Sequence, residues 1–364
     1  MVQYYHLLPF IKVDKECKLY AAFSYSALTD RCKVANDLCY EILAKTNFAD
    51  TARLKEKLVE IKSMLDMSIV QRGHVVALNR ALSHINELNN KKECLLGLDY
   101  CDFISELVKS FDSRRDEIVN RLIMIRNQVF AKDNLIVGFT GDRNQLNMVK
   151  PLIDEFYSLL PANAIINKEE FKPNLINEAF TAQFNVNFCA RGFNMDRSFN
   201  GSMPVLSNAL SMDYLWQRVR VHGGAYGCMI NLAPSGTVGL TSYRDPNIKS
   251  TYEAYSDISK FIDELDISLD DLLKYKIGAI GSMQAVMHDK DKADAARMIY
   301  LRGDTHEHRK QIREEVVNAS IDDLKSSASM FTNGLKNSPI CVIGNEAKVN
   351  SEASLFDVIR PLIK

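Results

Sequence analysis

The chain has 364 residues, with 45 Lys+Arg against 46 Asp+Glu and 46% hydrophobic content. At roughly 100–200 residues per domain, that length predicts about two domains, each able to bury its own core. A net charge of −1 with both signs interspersed excludes the basic excess of a typical nucleic-acid binder, and the composition excludes a largely disordered chain.

No apolar run approaches the ~20 residues that span a bilayer. The N-terminal MVQYYHLLPFIKVDKECK lacks the basic region and sustained apolar run of a secretory signal. As given, the chain reads as cytoplasmic, with neither membrane nor nucleic acid among its partners. Its eight cysteines include no C-x-x-C, and Cys32 and Cys39 stand two helical turns apart beside Val34, Ala35, Leu38 and Ile42. Free, reduced, structural thiols are expected.

The first third reads as a strand followed by helices. Lys18–Ser26 is aromatic-rich and loosely alternating, as a strand should be. Ala27 to Lys45 carries Leu28, Val34, Leu38 and Ile42 at helical spacing, with Thr29 or Asp30 as candidate caps. Asp50 caps a helix running to about Gln71, and His74–Ile85 is helical again. The polar run Glu87–Glu93 then predicts a break, followed by helices at Cys94–Ser110 and Asp112–Phe130. A lone strand cannot form a sheet, so this region is expected to be incomplete or to borrow strands.

The character changes near residue 132. Asn134–Thr140 predicts a strand, Gln145–Leu160 an amphipathic helix, and Ala179–Ala190 one alternating strand with Phe180, Ala182, Phe184, Val186 and Phe188 on one face. A helix from Met203 to Arg220 precedes the turn Gly223-Gly224. Strands Tyr226–Ala233 and Thr237–Tyr243 form a hairpin through Pro234-Ser235-Gly236. Helices near 250–265, 269–283, 305–318 and from 321, then a strand at Pro339–Gly344 and a short helix, complete the pattern. The expected class is α+β, an antiparallel-rich sheet with helices on one face.

Neither H-E-x-x-H nor H-x-x-E-H occurs, and His306-Glu307-His308 places its imidazoles two apart, on different sides of a helix. P-loop, dinucleotide and G-x-S-x-G signatures are also missing. The informative segment is Leu215–Gly227, LWQRVRVHGGAYG. Arg220 and Tyr226 flank a tight turn at Gly223 and Gly224 with little bulk between them. An Arg fork and a Tyr hydroxyl are both donors, suited to a peptide carbonyl or the charge that develops on it. The competing reading is a plain helix C-cap: Arg220 at the helix end, a glycine in the left-handed region, and Tyr226 a half-buried strand aromatic.

R-V-H-G-G-A-Y-G resembles the Arg/Tyr motif in the C-terminal half of pitrilysin/insulinase-type metallopeptidases, in the branch of the presequence proteases and falcilysin. NFADTAR at 47–53, Gln71-Arg72-Gly73-His74, NLIVGFTGD at 134–142 and SYRDPN at 242–247 agree in order and spacing. The resemblance implies four similar α/β domains in two bowl-like halves around a chamber where unstructured peptides are cleaved. It implies that zinc and the catalytic glutamate belong to an H-x-x-E-H motif in a first domain that is not part of this chain, and that Arg220 and Tyr226 hold the substrate backbone. On this resemblance, 1–131 is a partial, helix-rich third domain and 132–364 a complete fourth. The chain itself carries no metal ligands and no catalytic residue acting alone. Its expected partners are an N-terminal zinc-bearing half, in the same enzyme or as a separate subunit, and an unstructured peptide. A stand-alone peptide-binding or regulatory module is the alternative, and a hydrolase with a Cys or Ser nucleophile a third reading.

Overall fold

The computed structural model describes residues 2–12, 16–162 and 170–363. Val2–Ile11 (β1) pairs antiparallel with Cys17–Ser26 (β2), in register from Val2↔Ser26 to Ile11↔Cys17. The expected strand therefore has a partner that its sequence disguises: β1 does not alternate, and Pro9 lacks a donor, which an edge strand tolerates. A 3-10 turn at Thr29–Arg31 leads into Cys32–Lys45 (α1), so neither Thr29 nor Asp30 caps this helix. Its predicted apolar stripe is largely uncovered: Leu28, Val34, Leu38 and Ile42 are exposed, and Ala35 and Leu43 are the buried residues.

Thr51–Gln71 (α2) is capped by Asp50, whose side chain accepts the Arg53 N–H at 2.9 Å. Gly73–Ser83 (α3) follows as expected. The polar run predicted to break the chain is instead a helix, Glu87–Leu96 (α4), capped by Asn86. The two helices predicted next are one, the 32-residue Leu98–Val129 (α5), because no Gly or Pro interrupts it. Residues 135–140 are extended but pair with no strand; β propensity shaped the backbone without an edge to receive it. Arg143–Leu159 (α6) begins with a reciprocal cap between Asp142 and Gln145.

The predicted single strand at 179–190 is two, Glu178–Ala182 (β3) and Phe188–Asn194 (β4), separated by β7 within the sheet. Its alternation misled because Phe180, Ala182, Phe184, Val186 and Phe188 do pack into one cluster while the chain reverses. Next come Ser202–Ala209 (α7), continued by a π-helical stretch Leu210–Val221, then Gly227–Ala233 (β5) and Thr237–Tyr243 (β6). Lys249–Ser256 (α8), Ile258–Asp263 (α9), Leu269–Met283 (α10), Asp289–Arg302 (α11), His306–Asn318 (α12), Ile321–Lys325 (α13) and Ala328–Lys336 (α14) follow. Ile340–Asn345 (β7), Glu346–Ser351 (α15) and an unanticipated Val358–Pro361 (β8) complete the described chain.

The six strands lie in the order β5-β6-β4-β7-β3-β8. β4 pairs antiparallel with β6 and β7, and β5 with β6, whereas β3 runs parallel to both β7 and β8. Successive residues point to opposite faces. Ala179, Cys189, Val238, Leu240 and Val342 face a core with Leu206 of α7, Ile258 of α9 and Phe331 of α14. Phe180, Phe188, Ala190, Cys341 and Ile343 face the other way, onto Ile69, Ala77, Ala81, Leu98 and Cys101. The helices that follow β4 thus cover one face, as expected, and α3 from the N-terminal region covers the opposite one.

α3 approaches closely because Gly192 of β4 pairs with Gly239 of β6, leaving a notch. A Cβ at Gly192 would stand 2.5 Å from Leu82, and one at Gly239 2.8 Å from Leu78. The C-terminal end of α3 is tied down by charge. Arg80 Nη2 donates to Glu178 at 2.9 Å, His84 Nε2 lies 2.7 Å from the same carboxyl, and Arg80 Nη1 reaches Asp99 at 2.8 Å. Fully buried Glu93 accepts from Asn79 at 2.7 Å and from the Leu98 N–H at 2.8 Å. Burial pushes the Glu93 carboxyl up. Burial opposes ionisation of Glu178 too, but hydrogen bonds from His84 and Arg80 outweigh it and hold that carboxyl at about 2.

Two outcomes are expected. Valine at Gly239 overpacks the notch and lowers unfolding free energy by about 1–3 kcal/mol in urea melts. Arg80→Met strands buried carboxylates and costs about 3–5 kcal/mol. The folded Glu178 value lies below its ordinary 4.5, so its contribution is complete above that pH and is lost as pH falls toward 2. Glu178→Gln should flatten that acid limb, read from urea midpoints across the range.

Candidate functional site

The cleft of interest forms where the α7 continuation ends. Leu210, Tyr214, Leu215 and Val219 bury one side of this π-helical stretch, and the Tyr214 hydroxyl donates to the Ala254 carbonyl at 2.7 Å. Trp216 stays on the outer side, 45% exposed, with the Arg220 guanidinium carbon 3.8 Å from its ring centroid. That stacking holds the guanidinium flat while leaving its edge donors open.

The helix then stops abruptly. Gly224 has φ +79, a left-handed conformation that favours glycine, and its N–H donates to the Arg220 carbonyl at 2.9 Å. A Cβ on Gly223 would lie 2.5 Å from the Val219 carbonyl oxygen, so this position requires glycine for close approach. Asn247 Nδ2 secures the turn by donating to the Gly223 carbonyl at 2.5 Å. The C-cap reading is thus correct for the backbone, but not for the side chains. Tyr226 is 68% exposed rather than half-buried and precedes β5 by one residue.

Tyr226 is set from beneath by an aromatic series. Its ring meets Tyr243 edge-on at 6.0 Å, and Tyr243 meets His74 of α3 at 5.0 Å. Burial pulls the His74 pKa down, and its Nδ1 has no hydrogen-bond partner among the described residues. The Tyr226 N–H donates to the Arg244 carbonyl at 3.3 Å. Asp245, fully buried, accepts from Thr251 Oγ1 at 2.7 Å and the Asn247 N–H at 2.9 Å; burial pushes its carboxyl up against those bonds.

The result is an open cleft of about 500 Å³ lined by Trp216, Arg220, Gly224, Ala225, Tyr226 and Arg244 among others. Arg220, Gly224 and Tyr226 come together as the sequence suggests, while Gly223 builds the turn below. Trp216 and Arg244 were not singled out by sequence reasoning, although both lie in the segments that carry the resemblance. Neither carboxylate nor imidazole lines this cleft. It offers donors to an oxygen and no general base.

The residues do not fit a zinc ion. Among the described residues no three His, Cys, Asp or Glu converge to hold a metal. His306 and His308 are exposed at the start of α12. Nor is there an activated thiol: Cys189 and Cys341 are fully buried and pushed well above the usual range, and burial raises Cys228 to about 11 against the pull of Arg220.

Residues 177–345 match the family described as PreP C-terminal domain, and residues 4–107 the peptidase-associated family of subfamily C of the M16 peptidases. Protein HypA of Clostridium perfringens is 33% identical over 359 residues, covering 97% of this chain and 37% of that protein. Presequence protease 1, chloroplastic/mitochondrial, of Arabidopsis thaliana is 31% identical over 294 residues, 79% of this chain and 27% of that one. The chain thus spans little more than a third of the length of these relatives. The solved inactive domain of a peptidase M16 from Pseudomonas fluorescens shares the fold at a TM-score of 0.59 and 12% identity, covering 94% of this chain and 81% of that one. The chain therefore belongs to the pitrilysin superfamily, as a C-terminal, inactive half of a peptidase of the presequence-protease type.

Proposed function

We propose that this chain is the non-catalytic, substrate-binding half of a zinc-dependent oligopeptide-degrading metalloendopeptidase, and that Arg220 and Tyr226 are its contribution to the active site. The observation that carries the reading is their position on either side of one turn, lining one cleft, with no protein acceptor among the described residues for either the guanidinium or the hydroxyl. A peptide laid across the open Gly224 turn brings a carbonyl oxygen to both donors. These donors strengthen as charge builds on that oxygen, which is where donor placement accelerates acyl transfer.

The metal and the base belong on this reading to an N-terminal half, in the same polypeptide or as a separate subunit. The division at 131/132 into a partial third and a complete fourth domain is part of the same proposal. The exposed stripe Val34, Leu38 and Ile42 on α1 supports a further partner surface, since such a stripe is ordinarily packed.

Purified alone, the chain should not cleave an unstructured peptide, and chelator-sensitive cleavage by it would overturn the reading. Joined to a complementary zinc-bearing half, Arg220→Ala and Tyr226→Phe should each lower kcat/KM by about tenfold or more, with the loss mainly in kcat. Unchanged steady-state kinetics in both variants would remove these residues from the mechanism.

A further inference from the structure

The reading above leaves Arg244 unused, yet it is the residue whose placement the fold works hardest to maintain. Among the described residues it is the one non-glycine residue at positive φ, +50. Such a conformation in a residue other than Gly, Asn or Asp costs of order 1–3 kcal/mol and persists only where the surroundings over-determine it. Here they do. The Arg244 carbonyl accepts the Tyr226 N–H, and the next residue, Asp245, is locked by two backbone hydrogen bonds with Asn187, each 2.8 Å.

The side chain lies over Tyr243, its guanidinium carbon 5.6 Å from the ring centroid, and lines the same cleft as Arg220. Two guanidinium groups therefore face one concavity that no acidic residue lines. The neighbouring carboxylate that would neutralise them, Asp245, is fully buried and committed to Thr251 and Asn247. Neither arginine makes an ion pair or side-chain hydrogen bond with another described residue. An unneutralised pair of planar forks in a cleft is chemistry for a carboxylate, which accepts from guanidinium bidentately.

We propose that Arg244 forms a carboxylate subsite of this cleft, taking either the C-terminal carboxylate or an Asp or Glu side chain of a bound peptide. The inference rests on the cleft being the peptide-binding site and specifies which peptides it prefers. Arg220 and Tyr226 hold the backbone carbonyl, and Arg244 fixes how far along the groove an acidic group sits.

Trp216 is the sole tryptophan of the chain and lines the cleft, so its emission reports occupancy directly. The probes are three Trp-free, unstructured decapeptides of Gly, Ser and Ala: one with a central Gln and an amidated C-terminus, one with a central Glu and an amidated C-terminus, and one with a central Gln and a free C-terminal carboxylate. Each is titrated against the full chain by Trp216 emission and by calorimetry. A carboxylate peptide should bind about tenfold tighter than the neutral one, as a charge-assisted hydrogen bond warrants, and the advantage should shrink at high salt. Tighter binding of the Glu peptide assigns the subsite to a side chain; tighter binding of the free-carboxylate peptide assigns it to a chain terminus. Arg244→Gln should collapse the ratio between charged and neutral peptides, and Arg244→Lys should restore part of it, with unchanged thermal melts showing that both variants fold. Equal binding of all three peptides, or a ratio insensitive to Arg244→Gln, would overturn the subsite while leaving peptide binding intact. No binding of any peptide by either method would overturn both the subsite and the peptide-cleft reading.

Discussion

A sheet with two apolar faces must be covered twice, and the strands here are followed by helices that cover it once. Everything distinctive in the structure depends on how the second face is closed. Helix α3 does it, entering the notch that Gly192 and Gly239 leave and laying Ala77 and Ala81 against the sheet. Its far end is held by the Arg80–Glu178–Glu93 charges, and its near end brings His74 against Tyr243. The N-terminal region is therefore structurally inseparable from the sheet that carries the cleft.

That arrangement also explains how an exposed tyrosine comes to be well placed. Tyr226 gains no rigidity from burial of its own ring. Tyr243 beneath it is braced by His74 and Phe188 on the buried face, and Arg244 and Asp245 fix the backbone beside it. Arg220 is held in the same way by Trp216. The donors are thus presented to solvent while their supports are interior, the arrangement a binding site requires.

Most of the local structure was legible because it rests on local signals. The Asp50 cap, the helix 269–283, the hairpin around Gly236 and the buried thiols follow from residue type and period. The failures have a common physical origin in tertiary partners. The strand β1 exists because β2 is there to pair with it, and residues 135–140 form none because no edge receives them. Phe180 to Phe188 kept one alternation across a chain reversal, since both strands face the same core. The polar helix α4 was hidden because its buried Glu93 is satisfied by Asn79 and backbone donors far from the reach of periodicity. At the cleft, the glycine turn and its two flanking donors were visible in sequence. The role of Arg244 was not, because a positive φ and an inward-turned neighbouring carboxylate are properties of the folded backbone.

The buried cysteines give this layered construction a built-in clock. Cys189 and Cys341 are both fully inaccessible, yet they face opposite sides of the sheet, one beneath the helices that follow it and the other beneath α3. A thiol reagent can reach each only when its own layer lifts. The order in which the two sulfurs are modified under gentle destabilisation therefore records which lid of the sandwich opens first.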